Sequence, residues 1–300
     1  MTFSSIAVII AFLKASMVFM YAGLGELFNQ RSGVLNVGIE GIMLFGAWAS
    51  FAGAQTTGNP WIGVLAAIMG GAIFGLLHVF LSVTLQVDQV VAGMGVWIFC
   101  MGITTYLGDP FTGSLSSEGQ MEPIFMGLTP LFFIGIILPF VLWFVLYRTG
   151  FGLKIRSTGE NPAAVEASGV SVTGIRYIVV IIGGILVGMS GAYLTLVYSS
   201  VWSPNVTMGR GWITLALVIF ALRRPFFLMG GALLFGFLWH VALRAGYLFP
   251  FLPEIPYQFW RMLPFIITVV VLVITSFDKI KKIIGETEPA ALGEPYIRED

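Results

Sequence analysis

The sequence predicts an all-α integral membrane protein, a polytopic helical bundle of about nine (8–10) transmembrane segments. Three observations predict it. Hydrophobic residues make up 57% of the 300 residues and charged residues only 10%. The mean hydropathy is +0.93, well above what a water-exposed surface tolerates. Apolar windows of the length that crosses hydrocarbon recur along the chain, separated by short polar connectors. The formal net charge is zero and the basic residues are scattered, which excludes a nucleic-acid partner as an expectation. Cys100 is the one cysteine and lies in an apolar run, so no internal disulfide is possible and a buried small hydrophobe is expected. The N-terminus lacks a basic leader and a small-residue cleavage site, and is read as a retained first span.

Taken in order, the expected spans are residues 3–24, 37–54, 61–85 and 89–107, then, after a polar stretch over 108–122, residues 127–147. A sixth covers 177–198. The seventh candidate, 212–222, is apolar but too short to cross alone, and follows Ser203-Pro204-Asn205 and Gly209-Arg210-Gly211. It is expected to be a tilted or broken span, or a re-entrant element covered by neighbours, because irregular backbone is not tolerated against lipid. Residues 226–243 and 263–277 complete the set. Thirty-seven glycines, among them Gly71 and Gly75, Gly184, Gly188 and Gly191, and Gly230, Gly231 and Gly236, predict close helix packing within the chain. Residues 1–285 thus form a transmembrane domain, and the acidic, Pro-containing stretch 286–300 is expected to be a poorly ordered cytoplasmic tail.

The longest internal polar interruption is Arg148 to Arg176. Within it Asn161-Pro162 reads as a capped helix start, Ala163, Ala164, Val165, Glu166 and Ala167 favour helix, and Gly169 stops it. The expected product is a short helix with a smooth alanine face, flanked by Arg148, Lys154 and Arg156 on one side and Arg176 on the other. Lys and Arg in short loops stay on the cytoplasmic side. Placing this loop inside gathers Arg31, Arg148, Lys154, Arg156, Arg176, Arg223, Arg224, Lys279, Lys281 and Lys282 there. It leaves Arg210, Arg244 and Arg261 outside, with Lys14 within the first span. The loop and the C-terminus are therefore expected in the cytoplasm and the N-terminus outside.

Ionisable residues at membrane depth are expensive and face a cavity or a partner. Glu40 has two readings: a carboxylate at the cytoplasmic end of the second span, solvated or paired with Arg31, or a group lining a polar pathway. His78 reads as a hydrogen-bonded packing residue. Two histidines, His78 and His240, and one cysteine make no metal constellation. No glycine is followed by lysine, so a phosphate-cradling G-x-x-x-x-G-K-[ST] loop is impossible and no enzymatic activity is expected of this chain.

Three runs carry a resemblance: NQRSGVLNVGIEGIMLFGA (29–47), YRTGFGLKIRSTGENPAAVEASGVSV (147–172) and GRGWITLALVIFALRRP (209–225). The chain resembles the permease subunits of binding-protein-dependent ABC importers for simple sugars, branched-chain amino acids and nucleosides, and among them the shorter nucleoside or simple-sugar permease. The resemblance implies alternating access in the cell inner membrane, driven by a separate cytoplasmic ABC ATPase that holds the ATP and Mg; no cofactor is expected in this chain. It also implies a second permease subunit of different sequence, an extracytoplasmic solute-binding lipoprotein or periplasmic protein, and surrounding lipid. By position, Arg156, Gly159, Glu160, Asn161, Pro162, Ala163, Ala164 and Glu166 would form the helix that couples to the ATPase. The same resemblance puts the Gly209–Gly211 turn near the outer end of the bundle, where Arg210 would meet the binding protein, a carboxylate or a headgroup. Asn36, Glu40, Gln86, Trp202, Asn205 and Thr207 are the candidate lining of the solute route. The alternative is a gradient-driven secondary carrier or channel for a small polar solute.

Overall fold

The computed structural model describes residues 5–248, 256–277 and 288–296. Its helices are α1 (Ser5–Arg31), α2 (Ile39–Thr57), α3 (Pro60–Val79), α4 (Gln89–Gly108), α5 (Pro130–Arg148), α6 (Gly150–Glu160), α7 (Pro162–Ala167), α8 (Val172–Tyr193), α9 (Arg210–Phe220), α10 (Pro225–Leu248) and α11 (Tyr257–Ser276). Short polar side chains start several of them. Asn59 accepts from the Trp61 amide, Asp88 from the Val90 and Val91 amides, and Ser171 from the Gly174 amide, so donors that a helix start leaves open are paired. α3 and α8 each run on into a π-helical turn, Phe80–Thr84 and Leu194–Tyr198. Among the described residues the one sheet is minimal: Gly113-Ser114 (β1) pairs antiparallel with Val201-Trp202 (β2).

Among the described residues six helical stretches are long and apolar enough to cross a membrane: 8–31, 60–84, 89–111, 130–148, 172–198 and 225–244. Three of the nine expected spans fall outside that set for different reasons. α2 is 19 residues long, but its Gly, Ala, Ser and Gln content dilutes its hydropathy. α9 has only 11 residues, and the apolar part of α11, Gln258–Val271, is short. The inside-outside assignments of Lys279, Lys281 and Lys282 concern residues outside the described ones, as do 286, 287 and 297–300 of the expected tail.

The centre of the bundle is α1 and α8. Buried residues make up 61% and 72% of their membrane-length windows, against 28% for α4, which lies at the periphery. α2, α3 and α8 meet through glycine. A Cβ on Gly71 or on Gly184 would run into the other's carbonyl oxygen, and one on Gly46 would stand 2.5 Å from the Gly188 oxygen. Backbones in contact trade side-chain entropy for dense packing, which is how helices associate where no hydrophobic force acts between them. Gly236 meets Ser16 of α1 in the same way, so these glycines pack helices of one chain. Gly230 has open space around it.

The bundle has two distinguishable ends. At one, the C-termini of α1, α5 and α9 meet the starts of α4, α8 and α10: Arg31 Nε donates to the Arg223 carbonyl (2.9 Å), Arg31 Nη2 to the Tyr147 hydroxyl (3.2 Å), and the Leu35 amide to Gln89 Oε1 (2.6 Å). At the opposite end Trp202 Nε1 donates to the Gly108 carbonyl (2.9 Å) and the Ser116 amide to Gln55 Oε1 (2.9 Å). The first end carries Arg31, Arg148, Lys154, Arg156 and Arg224 and is called the basic end below.

Candidate functional site

The interior feature with the most chemistry is the start of α9. The chain leaves α8 at the opposite end, pairs as β2, and then turns back into the bundle through residues 203–209. Asn205, Met208 and Gly209 in this return have positive φ, Gly209 at 79°. α9 then begins in contact with the first turn of α2 and ends at the basic end. There the Arg223 amide closes onto the Val218 carbonyl and Arg31 takes up the Leu222 and Arg223 carbonyls. Residues 203–223 therefore travel from one end of the bundle to the other as irregular backbone followed by a half-length helix.

Glu40 holds that junction. Its side chain is buried, 2% exposed, and accepts three hydrogen bonds: from the Thr207 hydroxyl (2.6 Å), the Gly209 amide (2.9 Å) and the Gly211 amide (2.5 Å). All three partners are donors, which suits an acceptor-only carboxylate at the positive end of a helix. The approach requires glycine: a Cβ on Gly211 would lie 2.5 Å from Glu40 Cα. The reading of Glu40 as solvated or paired with Arg31 is overturned. The carboxylate pairs with the backbone at the start of α9, and Arg31 is bound elsewhere.

Arg210 is also relocated. The resemblance placed it at the outer end, facing a soluble partner or lipid, and positive-inside counting placed it outside. It is instead buried, with its guanidinium carbon 4.1 Å from the Trp239 ring centroid and 5.8 Å from that of Tyr198. Its Nη1 donates to the carbonyls of Val206 and Thr207 (2.9 and 3.0 Å), so the cation ties down the irregular return. A guanidinium on an indole face is a strong form of cation–π contact when desolvated.

The candidate pathway residues separate into three groups. Glu40 and Thr207 are bonded to each other, and Asn36 is buried one turn before Glu40, where its Oδ1 accepts from the Gly38 amide (3.0 Å). Gln86 and Asn205 are exposed turn residues. Trp202 is fully buried at the opposite end, its ring against Gly108.

At the basic end the stretch 148–176 is more helical than the sequence suggests. α6 fills residues 150–160, started by Thr149, which accepts from the Gly152 amide (3.1 Å). α7 follows with its expected cap, Asn161 Oδ1 accepting from the Ala164 amide (3.0 Å), and Gly169 leaves it with φ of 82°. Pro162 stands at its first position, and Ala163 and Ala164 are exposed. Glu166 turns back to accept from the Val172 amide (3.1 Å), fixing α7 to the start of α8. Beside α7 a groove of ≈ 600 Å3 is lined by Leu153, Lys154, Ser157, Asn161 and Ala164 among others. Arg156 Nε donates to the Leu146 carbonyl (3.0 Å) and its guanidinium lies 5.1 Å from the Tyr147 ring centroid. Gly159 is buried, not presented: a Cβ there would be 2.5 Å from the Arg31 oxygen. Arg176, expected to flank the short helix, is 1% exposed and donates toward the Ser32 and Glu294 carbonyls (3.3 and 3.4 Å).

Two features have no counterpart in the sequence reading. The first is a buried polar cluster around Glu26 of α1, which accepts from Asn29 Nδ2 (3.1 Å), Gln30 Nε2 (2.9 Å) and the Asn36 amide (3.2 Å). Gln30 Oε1 in turn accepts from Arg223 Nε (2.8 Å), and Arg223 Nη2 reaches Glu288 (3.2 Å). The signal was present, an acid inside an apolar window in the run GELFNQR. The second is the tail. Within the segment expected to be poorly ordered, residues 288–296 lie against the basic end: the Ala291 amide donates to the Gly159 carbonyl (2.9 Å) and the Gly293 amide to the Gly33 carbonyl (3.1 Å). Backbone donors meeting glycine carbonyls leave no side-chain pattern to read.

Among the described residues no group of three or more His, Cys, Asp or Glu is placed to hold a metal ion. The chemistry assembled here is hydrogen bonding, cation–π contact and helix capping.

Comparison with known proteins gives a consistent result. A family model described as the permease component of a branched-chain amino acid transport system matches residues 8–272. The guanosine ABC transporter permease protein NupQ of Bacillus subtilis is 33% identical over 92% of this chain and 91% of its own length. The nucleoside ABC transporter permease protein NupC of Lactococcus lactis is 33% identical over 84% of this chain and 87% of its own. TsgC13 of Haloferax volcanii, provisionally named a glucose ABC transporter permease protein, is 39% identical over 78% of this chain and 76% of its own. No solved structure matches the chain.

Proposed function

Because this chain belongs to the family of permease components of branched-chain amino acid transport systems, we propose that it carries a nucleoside into the cell, coupled to a separate ATPase through α7. It is a multi-pass membrane protein and a translocation subunit of an ABC importer. The nucleoside reading rests on NupQ and NupC, which resemble the chain over most of its length. A sugar is the second reading, favoured by the higher identity to TsgC13.

The observation that carries the coupling part is the presentation of α7. A short helix with a fixed start, exposed Ala163 and Ala164 and a groove alongside offers a small, rigid surface on which a soluble subunit can close. Glu160, Asn161 and Pro162 lie at its leading end, and Arg156 and Lys154 supply positive charge beside it. Gly159 and Glu166 serve the same surface indirectly, by fixing α6 to α1 and α7 to α8. The basic end is then cytoplasmic, in the cell (inner) membrane. The broken element 203–223 counts as one crossing, and with α2 and α11 it brings the spans to about nine. The partners are a cytoplasmic ATPase carrying ATP and Mg, a second and different permease, and an extracytoplasmic solute-binding protein. For the route itself, the buried Asn36, Glu40 and Thr207 are the residues of interest; Gln86 and Asn205 are exposed and Trp202 packs against Gly108.

Mechanistically, ATP-driven closure of the ATPases moves α7 and α6. Through Gly159 and Arg31, α6 is fastened to α1 and to the end of α9, so the displacement reaches the broken span whose other end is held by Glu40. The test is co-purification of the chain with its ATPase, wild type against Ala163→Glu, followed by uptake of guanosine and of glucose by the intact complex. Capture by wild type and release by Ala163→Glu is the expected result. Capture unchanged by the substitution rejects the α7 assignment, and uptake of glucose but not guanosine selects the sugar reading.

A further inference from the structure

A cleft of ≈ 550 Å3 opens at the basic end between the last turn of α5 and the first turn of α10. Three guanidinium groups line it, those of Arg31, Arg156 and Arg224, with one carboxylate, Glu160. The hydrogen-bond and ring partners of each cation are neutral, and Glu160 is a charged neighbour of Arg31 without being in ion-pair contact. Arg31 donates to the Arg223 carbonyl and the Tyr147 hydroxyl, Arg156 donates to the Leu146 carbonyl and lies over the Tyr147 ring, and Arg224 lies 5.6 Å from the Phe227 ring centroid. Among the described residues none of the three has a carboxylate within 4.0 Å; the one such pair is Arg223 with Glu288. Like charges gathered on one cavity repel, and an anion between them removes that repulsion. The positive end of α10, a 24-residue helix beginning at Pro225, points at the same place.

The other walls say which anion. Trp143, Phe226 and Phe227 line the cleft, and Phe226 packs edge-on against Phe140 at 5.2 Å and lies 5.8 Å from Trp143. Phe140, Phe144, Phe226 and Phe227 are all exposed, so the cationic cleft continues directly into an apolar lateral surface. A small soluble anion has no use for such a wall; a phosphate carrying acyl chains does. Trp at the boundary and basic residues beside it are the composition of a membrane interface.

From this juxtaposition we propose that the α5–α10 cleft binds the phosphate headgroup of an anionic phospholipid, with its acyl chains along the Phe140–Phe226 flank. Arg31, Arg156 and Arg224 contact the phosphate. Because Arg156 and Glu160 also stand at the root of α7, lipid occupancy sets the charge beside the surface proposed to meet the ATPase. The lipid site itself does not depend on that coupling role.

The experiment is native mass spectrometry of the delipidated full chain, titrated with phosphatidylglycerol or phosphatidylethanolamine of identical acyl chains. Inorganic phosphate and glycerol 3-phosphate serve as free-anion competitors. Wild type should retain phosphatidylglycerol at least about fivefold better than phosphatidylethanolamine. Arg224→Gln, an exposed position, should lower that retention about fivefold, the usual worth of one interfacial arginine. Arg224→Lys should keep most of it, and Arg244→Gln, outside the cleft, should leave it unchanged. Equal retention of the two lipids, or no loss in Arg224→Gln, overturns the proposal. Equal displacement by millimolar phosphate assigns the cleft to a free anion and also overturns it. If adding the ATPase strips the lipid while Arg224→Gln loses the ATPase instead, the cleft belongs to the protein partner and the lipid assignment is wrong.

Discussion

Replacing Glu40 separates a structural clamp from a passive lining residue. Its two oxygens satisfy three donors, and two of them are backbone amides at the start of α9, those of its cap Gly209 and of Gly211, with no side chain to reorient. Removing an acceptor leaves a buried donor unmet at about 1–3 kcal/mol, and hydrogen bonds to a charged group lie toward the upper part of that range. Glu40→Ala orphans all three, and Thr207 alone can turn its hydroxyl to another acceptor. The expected loss is therefore about 3–6 kcal/mol from the two amides and the missing helix-terminal charge. Glu40→Gln keeps one oxygen but turns an NH2 toward an N–H, giving an intermediate loss of about 1–3 kcal/mol. Thr207→Val removes the weakest partner at about 1 kcal/mol. Thermal unfolding of the detergent-purified chain, followed by Trp fluorescence, should rank wild type, Thr207→Val, Glu40→Gln and Glu40→Ala in falling order. Uptake by the assembled importer should fall in the same order. If Glu40→Ala melts with wild type, or Glu40→Gln is the worst of the series, the clamp is not what holds α9.

Gly211→Ala should fail for a related reason: its Cβ meets Glu40 backbone, which cannot move aside, so little folded protein should be recovered by size-exclusion chromatography. The Arg223–Glu288 pair should respond asymmetrically in thermal melts. Arg223→Gln removes a buried cation from the Gln30 and Glu26 cluster and should cost about 3 kcal/mol, whereas Glu288, with 71% of its side chain exposed, should tolerate Gln within about 1 kcal/mol. Trp202→Phe keeps the ring against Gly108 but drops the 2.9 Å hydrogen bond, and should lower stability by about 1 kcal/mol with uptake retained. Gly159→Val forces a side chain onto the Arg31 carbonyl and Pro289, and limited proteolysis should then release the C-terminal segment faster than in wild type.

What the sequence reveals about this protein follows the range of the forces involved. Asn161, Pro162 and Gly169 bracket α7 through contacts a few residues apart, so its start, its cap and its stop are all readable. The shortness of α9 is readable from Gly209, Arg210 and Gly211 in the same way. The partner of that turn is not. Glu40 and Gly211 are joined by folding alone, and a lone acid near a span end fits a surface pair equally well. Arg210 reads as a surface cation because arginine is seldom buried, and only the face of Trp239 and the Val206 and Thr207 carbonyls make its burial tolerable. Glu26 passes unnoticed among apolar neighbours because its partners Asn29 and Gln30 look like the polar fringe of a helix end. α6 is missed for the opposite reason: its glycines argue against helix, and the Thr149 cap and packing on α1, α5 and α8 outweigh them.

The docking of residues 288–296 bears on how the protein should be handled at the bench. That segment lies across Gly33, Gly159 and Arg176, within reach of Glu160. A reporter inserted just after residue 296 hangs from an anchor beside α6 and α7, so a bulky fluorescent domain or resin-bound affinity handle there competes for the space that the ATPase proposed to meet α7 would need. Labels meant to report on capture of that subunit belong away from this segment, since a handle placed directly after it blocks the face being tested.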